Sequence, residues 1–144
     1  MDLFKSIVIQ NKIEETVAVA DYVESTTRSV GFSDKEVYDI LIALDEVLAN
    51  ITYYAYSEGT TGEIEIEVSF KDDVLQIKFI DSGVEFNPLA KKDPDLSVSI
   101  ENRAVGGLGI YIVKKLMDSV TYSREGKKNI FIISKKLNGE SNGN

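Results

Sequence analysis

Three short segments carry side chains suited to a ligand rich in phosphate oxygens. The first holds Glu46 and Asn50, in the run Glu46-Val47-Leu48-Ala49-Asn50. At about 100° per residue on a helix, Asp39, Ala43, Glu46 and Asn50 fall on one strip, roughly opposite an apolar stripe of Ile40, Leu44, Val47 and Ile51. Asp45 points away from that strip. An amide oxygen is a hard, neutral ligand suited to Mg²⁺, and a carboxylate one turn away can position or deprotonate a hydroxyl near the same ion. The second segment is Asp81-Ser82-Gly83, at the end of an apolar alternating run. Its acceptor-only carboxylate can take a hydrogen bond from an exocyclic amine such as that of adenine, and Gly83 lets the backbone approach a ligand. The third is Gly106-Gly107-Leu108-Gly109, directly ahead of an amphipathic helix, so that bare amides and a helix N-terminus together make a phosphate cradle. It is neither a Walker A loop, since no Gly-Lys-Ser/Thr follows, nor a dinucleotide fingerprint, since a long loop rather than a strand leads into it. Lys91, Lys92 and Arg103 precede it and are candidates to reach phosphates, Arg103 the better one. Taken singly, each segment is ordinary composition: a helix's wet face, a strand-end turn, a flexible joint. Their co-occurrence is what points to a nucleotide.

The elements that must position them are legible in the periodicity. Leu3, Ile7 and Ile9 predict a strand over residues 3–10, and Ile13, Val17, Ala20, Val23 and Val30 a helix stopped by Gly31. Ser33 and Glu36 form a capping box, with Phe32 and Val37 spaced as a hydrophobic staple, so the Glu46 helix starts there. Residues 63–70 alternate apolar and polar as a strand with one wet face, Lys71-Asp72-Asp73 marks a hairpin, and Leu75, Ile77 and Phe79 carry the partner strand. Residues 88–105 are polar, contain proline and lack periodicity, which marks a functional loop with room for a short helix. A helix over residues 109–117 and strands near 120–124 and 130–135, around Glu125-Gly126-Lys127, complete the chain. The order predicts an α+β fold: a two-layer sandwich with a mostly antiparallel mixed sheet and helices on one face, forming one domain over residues 1–137, with 138–144 as a disordered tail.

Composition bounds the chemistry. With 144 residues and 43% hydrophobic content, one domain with one core is expected. The net charge of −8 repels a phosphate backbone or an anionic membrane, so neither nucleic acid nor a membrane is an expected partner. The chain has no cysteine and no histidine, which removes disulfides, thiolate nucleophiles, Cys/His zinc sites and an imidazole base. Proton transfer falls to carboxylates, lysines or tyrosines. Met1 to Ser6 lacks the pattern of a secretory signal, so the cytoplasm is the expected address.

Read together, the Glu46 to Asn50 run, Asp81-Ser82-Gly83-Val84-Glu85-Phe86-Asn87-Pro88 and Gly106-Gly107-Leu108-Gly109-Ile110 resemble the N, G1 and G2 boxes of the GHKL, or Bergerat-fold, ATPases. The short length and the Phe86-Asn87-Pro88 ending resemble, within that superfamily, the anti-sigma-factor serine kinases of the RsbW and SpoIIAB type. The resemblance spans residues 4–136. It implies that Glu46 is the general base for phosphoryl transfer from ATP, that Asn50 holds Mg²⁺, that Asp81 and Gly83 receive adenine, and that the box holding Gly106, Gly107, Leu108 and Gly109 contacts phosphate. Residues 89–105, with Arg103, would form the lid. The family often carries a basic residue or histidine beside the nucleotide where this chain has Tyr54, Asp where it has Asn87, and a further glycine at Glu85. The implied function is an ATP- and Mg²⁺-dependent serine/threonine kinase acting on a small STAS-domain anti-sigma-factor antagonist, also sequestering a sigma factor, as a homodimer. A nucleotide-gated binding module without turnover is the alternative, and the retained Glu46 favours the kinase. A histidine sensor kinase domain ranks last, for want of a sensor or dimerisation helix.

Overall fold

The computed structural model describes residues 2–57, 59–90 and 107–137. Lys91, Lys92, Arg103, Gly106, nearly all of the expected lid and the expected tail lie outside them. The described chain runs β1 (Leu3–Gln10), α1 (Ile13–Val30), α2 (Asp34–Asn50), a π-helical turn (Ile51–Ala55), β2 (Glu63–Lys71), β3 (Val74–Asp81), a 3₁₀ turn (Pro88–Ala90), α3 (Gly107–Leu116), β4 (Ser119–Glu125) and β5 (Lys128–Lys136). The strands form one sheet in the order β1-β2-β3-β5-β4, with every pairing antiparallel.

Alternation decides which face of the sheet is covered. Ile64, Ile66, Val68 and Phe70 of β2, Leu75, Ile77 and Phe79 of β3, and Phe131 and Ile133 of β5 are buried in one core with Val19 and Val23 of α1, Val37, Ile40, Ala43, Leu44, Val47 and Leu48 of α2, and Ile110, Val113 and Met117 of α3. The intervening residues form the wetter face, where Lys78 pairs with Glu67 at 3.8 Å across the β2/β3 register. The helices are held at their ends by local chemistry. Gly31 closes α1 in the left-handed region at φ 113°, which costs glycine little. The capping box forms in full: the Glu36 amide donates to Ser33 Oγ at 3.2 Å and the Ser33 amide to Glu36 Oε1 at 2.9 Å.

At two places the structure departs from the sequence reading. The strip Ala43, Glu46, Asn50 does not oppose the apolar stripe of α2 but flanks it; Ala43 and Asn50 are buried, and α2 packs against α3. Stepping 100° per residue sets that strip only about a quarter turn from Ile40 and Leu44, so covering one covers much of the other. The sequence reading set no end for this helix; at Ile51 it passes from α into a π-helical turn. Finally, Gly107 and Gly109 are not in a loop ahead of the last helix; with Leu108 they form its first turn, where glycine does less harm than in a helix interior because the amides there lack intrahelical partners anyway.

The β2/β3 hairpin turns through Asp72 and Asp73, both at positive φ (54° and 62°), as a two-residue turn of this hand requires. Aspartate tolerates that region and glycine enters it freely. Asp73→Gly should therefore raise stability by about 0.5 kcal/mol in urea unfolding, with an unchanged denaturant slope.

Candidate functional site

The ends of β3 and β5, the C-terminal part of α2 with its π-helical turn, and the first turn of α3 converge on one end of the sheet. Asp81, the last residue of β3, is 4% exposed, and its Oδ1 accepts hydrogen bonds from the Gly83 amide and from Asn129 Nδ2, each at 2.9 Å. Burial pushes the carboxyl upward from its ordinary value, and the bonds from Asn129 and Gly83 and the charge of Arg124 oppose that rise. Asn129 sits on β5 directly across from Asp81 and is also buried. Its Nδ2 donates to the Val84 carbonyl at 2.8 Å as well, and its Oδ1 accepts from Tyr122 Oη at 2.6 Å and Arg124 Nη1 at 3.1 Å.

Gly83 is required by the chain itself. A Cβ there would overlap the carbonyl of Ala55, the last residue of the π-helical turn, and the next amide, that of Val84, donates to the same carbonyl at 2.8 Å. The π-helical turn is thus docked on the Asp81 turn backbone to backbone. Tyr56 fastens the same junction: its hydroxyl donates to the Glu63 carbonyl at 2.6 Å and accepts from the Ser82 amide at 3.2 Å, and burial raises its pKa. Tyr54, within the turn, stacks on Phe86 with centroids 4.9 Å apart.

Asn50 is 8% exposed. Its Nδ2 donates to the Glu46 carbonyl at 3.0 Å, while its Oδ1 is buried without a hydrogen-bond partner. An orphaned buried acceptor costs about 1–3 kcal/mol and is a group in want of a ligand. It lines a cavity of about 20 Å³ with Asp81, Phe86, Ile110, Tyr122 and Asn129, room for about one water. Glu46 lies against α3: a Cβ on Gly109 would overlap its Oε1 and would come 3.8 Å from Asn50 Nδ2. The glycine leaves the carboxylate its place beside the amides of the α3 N-terminus. On its other side Glu46 lines a groove of about 560 Å³ between α1 and α2, with Ile13, Val17 and Tyr53.

Of the residues singled out in the sequence, Glu46, Asn50, Tyr54, Asp81, Gly83, Gly107, Leu108 and Gly109 are therefore gathered at one end of the fold. Arg103 and Gly106 lie outside the described residues. Asn129, Tyr122 and Arg124 were missed. A signal existed for Asn129, because alternation through Phe131 and Ile133 puts it on the core face, where an amide needs partners.

The two glycines predict opposite phenotypes. Gly83→Ala strikes a backbone carbonyl that cannot step aside, and should cost more than about 2 kcal/mol in denaturant unfolding. Gly109→Ala strikes only the end of a flexible side chain and gains helix propensity, so its stability should equal or exceed wild type while any activity that needs the Glu46 carboxylate is lost.

A model of the histidine kinase-like ATPase domain matches residues 9–135. The chain is similar to a Serine-protein kinase RsbW of Bacillus cereus, with 33% identity over 116 residues, covering 78% of this chain and 72% of that protein. Its similarity to Serine-protein kinase RsbW of Bacillus subtilis (strain 168) is 31% over 116 residues, covering 77% and 71%. In fold it matches a structure of the RsbU and RsbW domains of Rv1364c from Mycobacterium tuberculosis, with TM-score 0.66 and 14% identity, over 94% of this chain and 32% of that one, so this chain spans about a third of that protein. It also matches a structure from the SiaB-SiaC complex of Pseudomonas aeruginosa, with TM-score 0.53 and 12% identity, over 91% of this chain and 89% of that one. Among the described residues no helix is long and apolar enough to cross a membrane. A sheet covered on one face by three helices, the polar groups gathered at its end and these similarities agree: the chain belongs to the histidine kinase-like ATPase domain family and, within it, to the serine-protein kinases of the RsbW type.

Proposed function

We propose that this protein transfers the γ-phosphoryl group of ATP, with Mg²⁺, to a serine or threonine hydroxyl of a small STAS-domain anti-sigma-factor antagonist, and that it also sequesters a sigma factor, as a cytoplasmic homodimer. The observation that carries the reading is the situation of Glu46, with the amide-rich first turn of α3 on one side and an open groove on the other. An acceptor hydroxyl entering by the groove meets the carboxylate before it meets phosphate. The kinase names of the relatives support the same reaction.

In this reading Glu46 takes the proton of the hydroxyl as its oxygen bonds to the γ-phosphorus, while the bond from that phosphorus to the bridging oxygen breaks and ADP leaves with the electron pair. Gly107, Leu108 and Gly109 offer amides at the positive end of α3 to the phosphates, with Gly106 and Arg103 as their neighbours in this role. Asp81 accepts from the exocyclic amine of adenine, its orientation fixed by the donors on Oδ1. The cavity beside it is far below the roughly 300–1,000 Å³ that ligands fill, so the base enters by moving the wall made by Phe86 and Pro88, which the Tyr54 stack holds. The unpartnered Oδ1 of Asn50 fits a hard cation, and no trio of acidic side chains among the described residues competes for one. When bound, Mg²⁺ neutralises phosphate oxygens. The exposed apolar residues Phe4 and Val8 on β1, and Ile13 and Val17 on α1, supply surface for protein partners.

Glu46→Gln keeps the shape and removes the base. Transfer of labelled phosphate to the antagonist should fall by roughly 10²- to 10⁴-fold with ATP affinity within a few-fold of wild type. Wild-type protein that transfers nothing, yet binds a partner only with ATP, would instead be a gated binding module. For Asn50→Ala, calorimetry should find nucleotide binding that no longer responds to Mg²⁺, with metal-free binding largely intact.

A further inference from the structure

Asp81, Asn129 and Arg124 form a row across the end of the sheet. Asn129 on β5 is the register partner of both Asp81 on β3 and Arg124 on β4. The amide in the middle has only one satisfactory orientation. Its nitrogen faces two acceptors, the Asp81 carboxylate and the Val84 carbonyl, and its oxygen faces Tyr122 Oη and Arg124 Nη1. Turned over, it would set oxygen against oxygen on one side and nitrogen against donors on the other. Arg124 Nη1 also donates to the Gly83 carbonyl at 3.0 Å, so one guanidinium nitrogen grips both the amide that orients Asp81 and the turn that follows it.

Two features separate this arginine from one that merely staples a hairpin. Among the described residues it makes no ion pair within 4.0 Å, so no carboxylate contact consumes its charge. Its contact at Gly83 is 41 residues away in the chain, outside the β4/β5 hairpin, which the ladder from Ser119↔Ser134 to Glu125↔Lys128 already fixes.

We propose that Arg124 is a positioning residue for recognition of the nucleotide base, acting through Asn129 and the Gly83 carbonyl to hold the Asp81 carboxylate aimed and ionised. This rests on the reading of Asp81 as the acceptor for the base. A polarised chain of guanidinium, amide and carboxylate is stronger than its separate links, because each bond polarises the next. It also answers a problem of the site: burial alone favours the protonated carboxyl, and a protonated Asp81 would compete with the base as a donor.

The test measures ATP affinity by calorimetry for wild type, Arg124→Met, Asp81→Asn and the double variant, with thermal unfolding as a fold control. Arg124→Met should weaken ATP by about tenfold, the scale of one charge-assisted hydrogen bond. In the Asp81→Asn background the same substitution should change affinity less than about twofold, because the group it serves is gone. The pH profile gives a second readout. Removing the guanidinium takes away an attraction for ionised Asp81 while Tyr56, which follows the π-helical turn, Tyr122 of β4, and Glu63 and Glu85 around them remain. Affinity in the variant should then decline at a higher pH than in wild type as the solution is acidified. Arg124→Lys, which restores the charge but grips fewer oxygens, should recover the wild-type pH profile and part of the affinity; it also serves if the methionine variant does not fold. Wild-type affinity in Arg124→Met, an equal loss in both backgrounds, or a uniform loss at every pH overturns the proposal. If Asp81→Asn itself leaves ATP affinity unchanged, the base reading fails first, and the proposal with it.

Discussion

An ionised carboxylate taken out of water costs several kcal/mol unless donors and a nearby cation replace its hydration, and Asp81 is buried at the end of β3. Much of the local architecture follows from meeting that requirement. Two donors converge on Oδ1, one from the turn that follows and one from β5. The β5 donor is an amide, which then needs donors for its own oxygen, and Tyr122 and Arg124 of β4 supply them. The turn that supplies the other donor must fold back tightly, which brings Gly83 onto the Ala55 carbonyl and fixes where the chain leaving α2 can lie. The π-helical turn belongs to the same solution, because it delivers that carbonyl at the position where Val84 needs an acceptor. One buried charge thus ties β3, β4, β5 and the end of α2 into a single arrangement.

The α2/α3 contact follows different logic. Here stability is left unclaimed: Asn50 Oδ1 has no partner, and Gly109 occupies a helical position where alanine would be the better helix former. Neither choice helps folding. Both make sense if the space beside Gly109 belongs to the Glu46 carboxylate and the orphaned amide oxygen to a ligand, the trade between stability and activity that functional sites commonly display.

How much of this could be read from the sequence depends on the range of the interaction. The capping box, the Gly31 stop, the alternation of β2 and the hairpin at Asp72-Asp73 are local, and each appears where its residues predict it. The Glu46/Asn50 pair was legible as a pair, but the burial of Asn50 was not, because the angle between a polar strip and an apolar stripe says nothing about which neighbouring helix will cover the edge between them. The Arg124–Asn129 pairing follows from a two-residue turn at Gly126-Lys127, but Asp81–Asn129 requires knowing that β3 and β5, 48 positions apart at that point, lie side by side. The π-helical turn had no local signature, since Ile51 continues the apolar stripe of α2. What holds it is its Ala55 carbonyl, which accepts from the Val84 amide and packs against Gly83, a tertiary fact.

The two ends of the site are therefore stabilised by different means. Around Asp81, each hydrogen bond described is made by the chain alone, so the acceptor is aimed before any ligand arrives, and on the proposed reading it is the Phe86 and Pro88 wall, not the carboxylate, that must move to admit a base. At Asn50, beside Glu46, a buried amide oxygen is left without a partner, and on the proposed reading a cation on the phosphate chain supplies it. Binding energy at the first end can then promote order at the second, because a ligand that satisfies Asn50 removes a penalty the free protein already carries. On the proposed reading this division suits group transfer: the base end recognises, and the phosphate end, left unsatisfied without its ligands, keeps its strongest interactions for the state in which charge is moving.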